Sequence, residues 1–393
     1  MKIKRDNILQ SEDEVYKNLH KEIDERLPIS FPTHEDGLEI EILKLLFTPE
    51  EASIAIHLSV LPEPLDKIHK RVIKSGISIS EERLEELLNN LNEKGAIQGG
   101  GSVYDKKHNR RRYRLIHWAV GIFEYQLGRF TKEFAELAKD YSLGVFYKEF
   151  HKKNTTAQMR TIPVEKSLSP DYTVGTYDNI RDIIMNKVDK IAILECVCRE
   201  QHDVLEEPCE LSDTRRCCVM FNDSAIRRIE DGTGKEVSKK VFFEILKKYQ
   251  KEGFVLQPEN SQNPSFMCVC CGCCCGVLTM AKQFPKPAEY YSSNFYAQST
   301  PELCNGCETC VNRCQMDAIF LKDNVSNVDL NRCIGCGNCV TTCGMKAMNL
   351  YKKGKKVAPP KTSARKYMKI MMKKRGFFGS LKLAGKILTG KKA

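Results

Sequence analysis

Cysteine is missing from the first half of the chain. Of the 19 cysteines in 393 residues, none precedes Cys196. Five lie between Cys196 and Cys218, six between Cys268 and Cys275, and eight between Cys304 and Cys343. Disulfide-stabilised folds spread their cysteines along the chain, whereas metal sites group them. The grouping therefore favours metal binding by free thiolates in a reducing compartment.

Long apolar runs are also absent. No stretch approaches the roughly 18 apolar residues that mark a transmembrane helix. The start, MKIKRDNILQSEDE, lacks the hydrophobic centre of a secretion signal. We therefore expect a cytoplasmic protein. The sequence has no GxGxxG, P-loop or nucleophile motif either, so nothing in it indicates a substrate-converting site, and we expect catalysis to belong to a partner enzyme.

Acidic residues are absent from the end of the chain. The segment 352–393 contains 15 Lys or Arg and no Asp or Glu, which exceeds the net charge of +11 of the whole chain. The rest of the chain is therefore net acidic. Because apolar residues such as Ile370, Phe378 and Leu381 interrupt the cations, the tail is partly amphipathic. It suits peripheral contact with an anionic membrane at the inner face, where each cation contributes about 1 kcal/mol. Nucleic acid, an acidic redox partner or a disordered solubilising role would use the same charge.

Two cysteine tetrads share one spacing. CNGCETCVNRC and CIGCGNCVTTC both read C-x2-C-x2-C-x3-C. The tetrads are Cys304, Cys307, Cys310 and Cys314, then Cys333, Cys336, Cys339 and Cys343. In such a loop three thiolates surround one iron-sulfur cube and the fourth points away from it. Zinc also binds C-x2-C pairs, but it gives no reason for two tetrads of identical spacing.

This repeat resembles the bacterial-type ferredoxins that carry two [4Fe-4S] clusters. The resemblance implies one cluster on Cys304, Cys307, Cys310 and Cys343, and another on Cys333, Cys336, Cys339 and Cys314. It also implies transfer of single electrons to a redox partner protein. The chain departs from the family at three positions, because Glu308 stands where the second loop has Gly337, and Gln315 and Gly344 replace the usual prolines.

Eleven further cysteines lie upstream, far more than packing requires. The tentative metal ligands among them are Cys196, Cys198, Cys209, Cys217, Cys268, Cys270, Cys271, Cys273, Cys274 and Cys275. We interpret them as the site of one or two additional iron-sulfur clusters. A zinc or other thiolate-metal site, or a redox-active pair such as Cys217 and Cys218, are the alternatives. Three arginines lie beside these cysteines in the sequence: Arg199, Arg215 and Arg216. Their positive charge either offsets a negative cluster, or they are ordinary surface residues.

The segment before the cysteines predicts helices followed by a hairpin. Thr48, Pro49 and Glu51 form a capping box, and Ser80 begins an amphipathic helix that Gly95 ends. This pattern resembles a winged helix-turn-helix domain. The wing cations are Lys106, Lys107, Arg110, Arg111, Arg112 and Arg114. They suit phosphate contacts, but the preceding helix, SEERLEELLNNLNEKG, is acidic, so docking to a protein is the favoured use.

We therefore expect an α+β multidomain protein. Its predicted segments are an N-terminal extension (1–37), a winged-helix-like domain with a linking helix over 117–149 (38–150), a Cys-rich α/β domain (155–290), a ferredoxin-type (βαβ)2 dicluster domain (298–351) and a basic tail (352–393). The whole arrangement resembles uncharacterised 4Fe-4S binding proteins of anaerobic prokaryotes. It implies an oxygen-sensitive electron carrier or electron-transferring subunit. A redox-sensing winged-helix DNA-binding regulator is the alternative.

Overall fold

The computed structural model describes residues 12–105, 110–152, 156–169, 175–388 and 392. Packing divides the chain into two compact units. One consists of Met1–Phe150 with Ile370–Ala393, and the other of His151–Lys369.

The first unit is mainly helical. Its helices are α1 (Glu12–Arg26), α2 (Leu38–Leu46), α3 (Pro49–Ala55), α4 (Leu65–Lys74), α5 (Glu81–Glu93), α6 (Lys132–Tyr141) and α7 (Tyr147–Phe150). Its strands are β1 (Glu63–Pro64), β2 (Gln98–Asp105) and β3 (Arg110–Arg114). They pair antiparallel in the order β1-β3-β2. The turn between β2 and β3, with Lys106 and Lys107 of the predicted wing, lies outside the described residues.

Side-chain caps fix where two helices of this unit begin. The Thr48 hydroxyl accepts a hydrogen bond from the Glu51 amide, while the Glu51 carboxylate accepts one from the Thr48 amide. This is the predicted capping box. The Ser80 hydroxyl likewise accepts from the Arg83 amide at the start of α5.

The single linking helix predicted over 117–149 is wrong. The backbone leaves helical geometry at Ala119–Gly121, and the Thr131 hydroxyl caps a new helix, α6, by accepting from the Phe134 amide. Trp118 drives the break because it turns into an aromatic core, with its ring 5.5 Å from that of Tyr141. Burying that indole outweighs continuing the helix.

The second unit begins with a five-stranded sheet in the order β6-β4-β5-β8-β7. Its strands are β4 (Ile191–Glu195), β5 (Arg216–Phe221), β6 (Lys235–Glu236), β7 (Val255–Pro258) and β8 (Phe266–Cys270). Its helices are α8 (Ile180–Lys187), α9 (Val197–Val204), α10 (Asp223–Glu230), α11 (Lys239–Glu252) and α12 (Gly276–Lys282). Every pairing in this sheet is antiparallel, so the predicted α/β class is wrong for this region. The short β7–β8 connection permits only antiparallel pairing.

Two halves of identical order follow the sheet. The elements are β9 (Phe295–Ser299), α13 (Thr309–Arg313), β10 (Ile319–Lys322), β11 (Val325–Val328), α14 (Asn338–Thr342) and β12 (Met348–Lys352). The outer strands β9 and β12 pair antiparallel, as do the inner strands β10 and β11. This is a ferredoxin-like βαββαβ module, and each cysteine loop precedes one of its helices.

The last helix, α15 (Ser363–Leu388), is interrupted at Gly376, whose φ is 70°. Lys366 lies in its first part and is fully buried, with Nζ 2.8 Å from Oε1 of Glu259. Not every cation of the predicted basic tail is therefore free for an external partner. Among the described residues, no helix has the length and apolar character needed to span a bilayer.

Candidate metal centres

The first ferredoxin loop and the end of the second loop line one cavity. Its wall contains Cys304, Cys307, Cys310 and Cys343. Cys343 reaches this cavity because α14, which it follows, packs against α13. The structure therefore brings together the four cysteines that the ferredoxin resemblance assigns to one cluster.

The other four ferredoxin cysteines also lie together, with three of them around Cys339. Burial raises the pKa of the Cys339 thiol, and the neighbouring thiols of Cys336, Cys333 and Cys314 raise it further. Cys314 comes from the end of α13, whereas the other three belong to the second loop. Thiolates crowded into a buried site need a cation or cluster to neutralise them.

Backbone amides point at the sulfur atoms in a repeated pattern. The amide of Ala318 donates to Cys314 Sγ at 3.3 Å, and that of Ala347 donates to Cys343 Sγ at 3.2 Å. Each donor lies four residues after its cysteine. Hydrogen bonds to cluster sulfurs stabilise added negative charge and help to set the reduction potential. The fourth cysteine of each half thus accepts the same backbone hydrogen bond.

Glu308 adopts the backbone conformation of the glycine that it replaces. Its φ is 58°, and the φ of Gly337 at the matching position is 78°. Both residues precede the first turn of a helix. Glutamate in place of glycine therefore leaves the path of the loop unchanged. It costs free energy, because a non-glycine residue is strained in the left-handed region.

Gln315 replaces a proline of the family and makes a contact that proline could not make. Its Oε1 accepts a hydrogen bond of 2.7 Å from the amide of Gly272, in the upstream cysteine segment. A Cβ on Gly272 would lie 2.4 Å from the Gln315 carbonyl oxygen, so only glycine fits there. Gly344, the matching position in the second half, has open space around it, and the structure gives no packing reason for its identity.

The second ferredoxin loop also packs against the five-stranded sheet region. Asn338 is fully buried, and its Nδ2 donates to the carbonyl oxygens of Gly253 and Phe254 at 2.8 and 3.2 Å. The amide of Val164 donates to the carbonyl of Cys336 at 3.0 Å. The ferredoxin-like module and the sheet region therefore share an interface that both loops build.

Four upstream cysteines form a compact group, here called the tetrad: Cys209, Cys271, Cys273 and Cys274. Their Sγ atoms all lie within 4.8 Å of one another. Cys209 comes from the loop between α9 and β5, and the other three come from the turn between β8 and α12. Within this turn, Gly272 packs closely against Gln315.

Three other upstream cysteines face the ferredoxin-like module. Cys268, Cys270 and Cys275 pack in the same apolar core as ferredoxin cysteines such as Cys310 and Cys333. We call these three the ferredoxin-facing cysteines. Cys268 and Cys270 share one face of β8 because strand side chains alternate.

Cys198 lies beside the ferredoxin-facing cysteines. A hydrogen bond with Cys196 and burial both raise the pKa of the Cys198 thiol, and the nearby thiols of Cys275 and Cys270 add to this. Cys198 and the ferredoxin-facing cysteines thus lie together, with Cys270 and Cys275 buried and Cys198 and Cys268 half-buried.

The alternative of a Cys217–Cys218 redox pair meets an obstacle in the sheet. Cys217 is buried in the core with Val219, whereas Cys218 lies opposite Cys268 on the neighbouring strand. Consecutive residues of a strand point to opposite faces. Cys218 is not among the predicted ligands. The strand register places it opposite Cys268, which the sequence alone does not indicate.

The three arginines of this region have different surroundings. Arg199 is 1% exposed, donates to the carbonyls of Thr214 and Ser212, and lies over the Phe254 ring. Arg215 forms an ion pair with Asp203, at 2.6 Å, and Arg216 is largely exposed. Arg199 is therefore the arginine that is buried with the thiols.

Comparison with known proteins identifies one part of the chain. A family model described as the 4Fe-4S dicluster domain matches residues 297–351. No curated protein and no solved structure matches the chain. The matched segment coincides with the ferredoxin-like module, from within β9 to within β12. The chain thus contains a 4Fe-4S dicluster domain, and together with the grouped upstream cysteines this supports an iron-sulfur electron-transfer role.

Proposed function

We propose that this protein is an electron carrier, or an electron-transferring subunit of an anaerobic redox system, with two [4Fe-4S] clusters in its dicluster domain. One cluster is held by Cys304, Cys307, Cys310 and Cys343, and the other by Cys333, Cys336, Cys339 and Cys314. The observation that carries this proposal is the cavity that three cysteines of the first loop share with Cys343.

A third cluster on Cys198 and the ferredoxin-facing cysteines completes the proposal. The ferredoxin-facing cysteines share an apolar core with the dicluster domain and Cys198 lies beside them, so an electron has a short path between the two sites. A redox partner protein then receives the electron from the exposed side of the first loop, where Cys307 is exposed.

Anaerobic purification followed by iron and sulfide assays tests the proposal. The dicluster domain accounts for roughly eight irons per chain, and a third cluster raises this to about twelve. Electron paramagnetic resonance of dithionite-reduced protein should show interacting [4Fe-4S] signals. A protein with zinc and no sulfide would contradict the electron-transfer role altogether.

The first unit supports a docking role within this function. From α3 onwards its elements run helix, strand, two helices and hairpin, with the sheet order β1-β3-β2, and this order supports a winged-helix-like domain. Helix α5 exposes Glu82, Glu85 and Glu86, which would repel phosphates. We therefore favour a protein partner over DNA. Salt-sensitive DNA binding in a mobility-shift assay, in any redox state, would instead favour the regulator.

A further inference from the structure

The sulfur spacing in the tetrad matches one metal ion. Tetrahedral zinc lies about 2.3 Å from each thiolate, so neighbouring sulfurs around it stand about 3.8 Å apart. Cys209 Sγ lies 3.8 Å from Cys271 Sγ and 3.6 Å from Cys273 Sγ, and the Cys273 and Cys274 sulfurs are 3.7 Å apart. In a [4Fe-4S] cube each thiolate binds a different iron and points outward, which spreads the sulfurs farther apart.

The dicluster domain provides a comparison within the same chain. In the part of the chain that the structure describes, the tetrad is the one group in which three or more metal-ligating atoms lie within 4.8 Å of one another. The ferredoxin loops, whose spacing is typical of cubes, hold their sulfurs less closely. The distances between sulfur atoms are therefore short in the tetrad, as in a single-ion site, and longer in the ferredoxin loops, as in a cluster site.

A buried cation provides a second observation at the tetrad. Arg199 is 1% exposed, and among the described residues its Nη2 has no hydrogen-bond partner. Its guanidinium lies close to the thiol of Cys217, outside the tetrad, and to the thiols of Cys271 and Cys209. Burying an arginine is costly unless negative charge compensates it. Four thiolates around one divalent ion carry two negative charges, which supplies that compensation.

The surroundings of Cys209 are those of a ligand. The backbone amides of Ser212 and Leu211 donate towards its sulfur. Such contacts orient a thiolate and disperse its charge. Cys271 and Cys274 are 2% and 4% exposed, whereas Cys209 and Cys273 are half-buried and leave a route for the ion.

We propose that Cys209, Cys271, Cys273 and Cys274 bind a single tetrahedral metal ion, zinc or iron, separate from every iron-sulfur cluster. The ion ties the loop before β5 to the turn before α12. Because Gly272 lies within that turn and contacts Gln315, the ion also holds the surface on which the dicluster domain rests. The proposal does not require the dicluster domain to be loaded.

Metal analysis of the anaerobically purified full chain tests this site. We expect one zinc per chain, or one iron beyond the amount that sulfide matches. Cys209→Ser and Cys273→Ser should lose that one ion and keep all sulfide. Cys218→Ser, a half-buried cysteine outside the tetrad, and Cys307→Ser in the first ferredoxin loop should both keep the ion.

Two outcomes would overturn the proposal. One is loss of iron and sulfide in equal amounts from Cys209→Ser, which would mean a cluster. The other is unchanged metal content in both tetrad variants. Because a misfolded variant would lose the ion for an unrelated reason, X-ray absorption at the metal edge of unaltered protein gives an independent reading. Four sulfurs at about 2.3 Å around zinc support the site, and nitrogen or oxygen ligands, or a metal neighbour, refute it. Where the ion is iron, Mössbauer spectroscopy must show a tetrathiolate component distinct from the cubes.

Discussion

The amide of Gly272 donates a hydrogen bond of 2.7 Å to Oε1 of Gln315. Gly272 is flanked by Cys271 and Cys273 of the tetrad, and Gln315 directly follows the ferredoxin ligand candidate Cys314. One hydrogen bond therefore joins the two metal-binding segments. A substitution in one segment should therefore affect the stability of the other.

Gln315→Ala should destabilise the second unit. It leaves the buried Gly272 amide without its acceptor, which costs about 1–3 kcal/mol. The apparent midpoint of thermal unfolding, measured without air, should fall accordingly. Gly344→Ala is the matched control, because the same position in the second half has open space around it. Equal midpoints for the two variants would show that the contact contributes nothing.

The sequence predicts the dicluster domain well because three of the four cysteines proposed for each cluster lie in one short loop. Cysteine spacing alone places each loop before a helix. The tetrad is different, since Cys209 is more than sixty positions from its partners and only the folded sheet joins them. The sequence marks Gln315 as unusual, because proline is usual at that position. It does not indicate the contact with Gly272, which lies in another segment. Likewise, the sequence does not distinguish Arg199 from Arg215 and Arg216, and only its burial in the structure does.

Glu308→Gly should stabilise the first ferredoxin loop. A non-glycine residue in the left-handed region costs roughly 1 kcal/mol, and Glu308 has a φ of 58°. The variant should raise the unfolding midpoint of the loaded protein. Glu308→Ala removes the same charge but keeps a Cβ, so it should give no such gain. If both variants behave alike, the effect is electrostatic and the backbone explanation fails.

His151 should make the second unit sensitive to mild acid. Burial lowers the pKa of its imidazole to about 4, although a hydrogen bond to the Val277 carbonyl opposes the shift. The unfolded chain takes up the proton near pH 6.5, before the folded protein does. Stability is therefore complete above that pH and declines as pH falls towards 4, by about 3 kcal/mol in total.

The variants His151→Phe and His151→Gln isolate this contribution. Both remove the titrating group, so the difference in unfolding free energy between pH 7 and pH 5.5 should shrink by about 1 kcal/mol relative to unaltered protein. Phenylalanine also suits the surrounding rings, such as that of Phe284. Because acid lability of the clusters is common to all three proteins, it cancels in the comparison. An unchanged slope in both variants would exclude His151.

The proposed crossing of ligands between the two ferredoxin loops predicts how double variants behave. Cys307 and Cys343 line the same cavity, so Cys307→Ser and Cys343→Ser should remove the same cluster. Their combination should then lose about four irons, no more than either single variant. Cys336 lies in the other group, near Cys314 and Cys333. Combining Cys336→Ser with Cys343→Ser should therefore lose both clusters, about eight irons. If each loop instead held its own cluster, the two double variants would exchange these results, because Cys336 and Cys343 would then serve one cube.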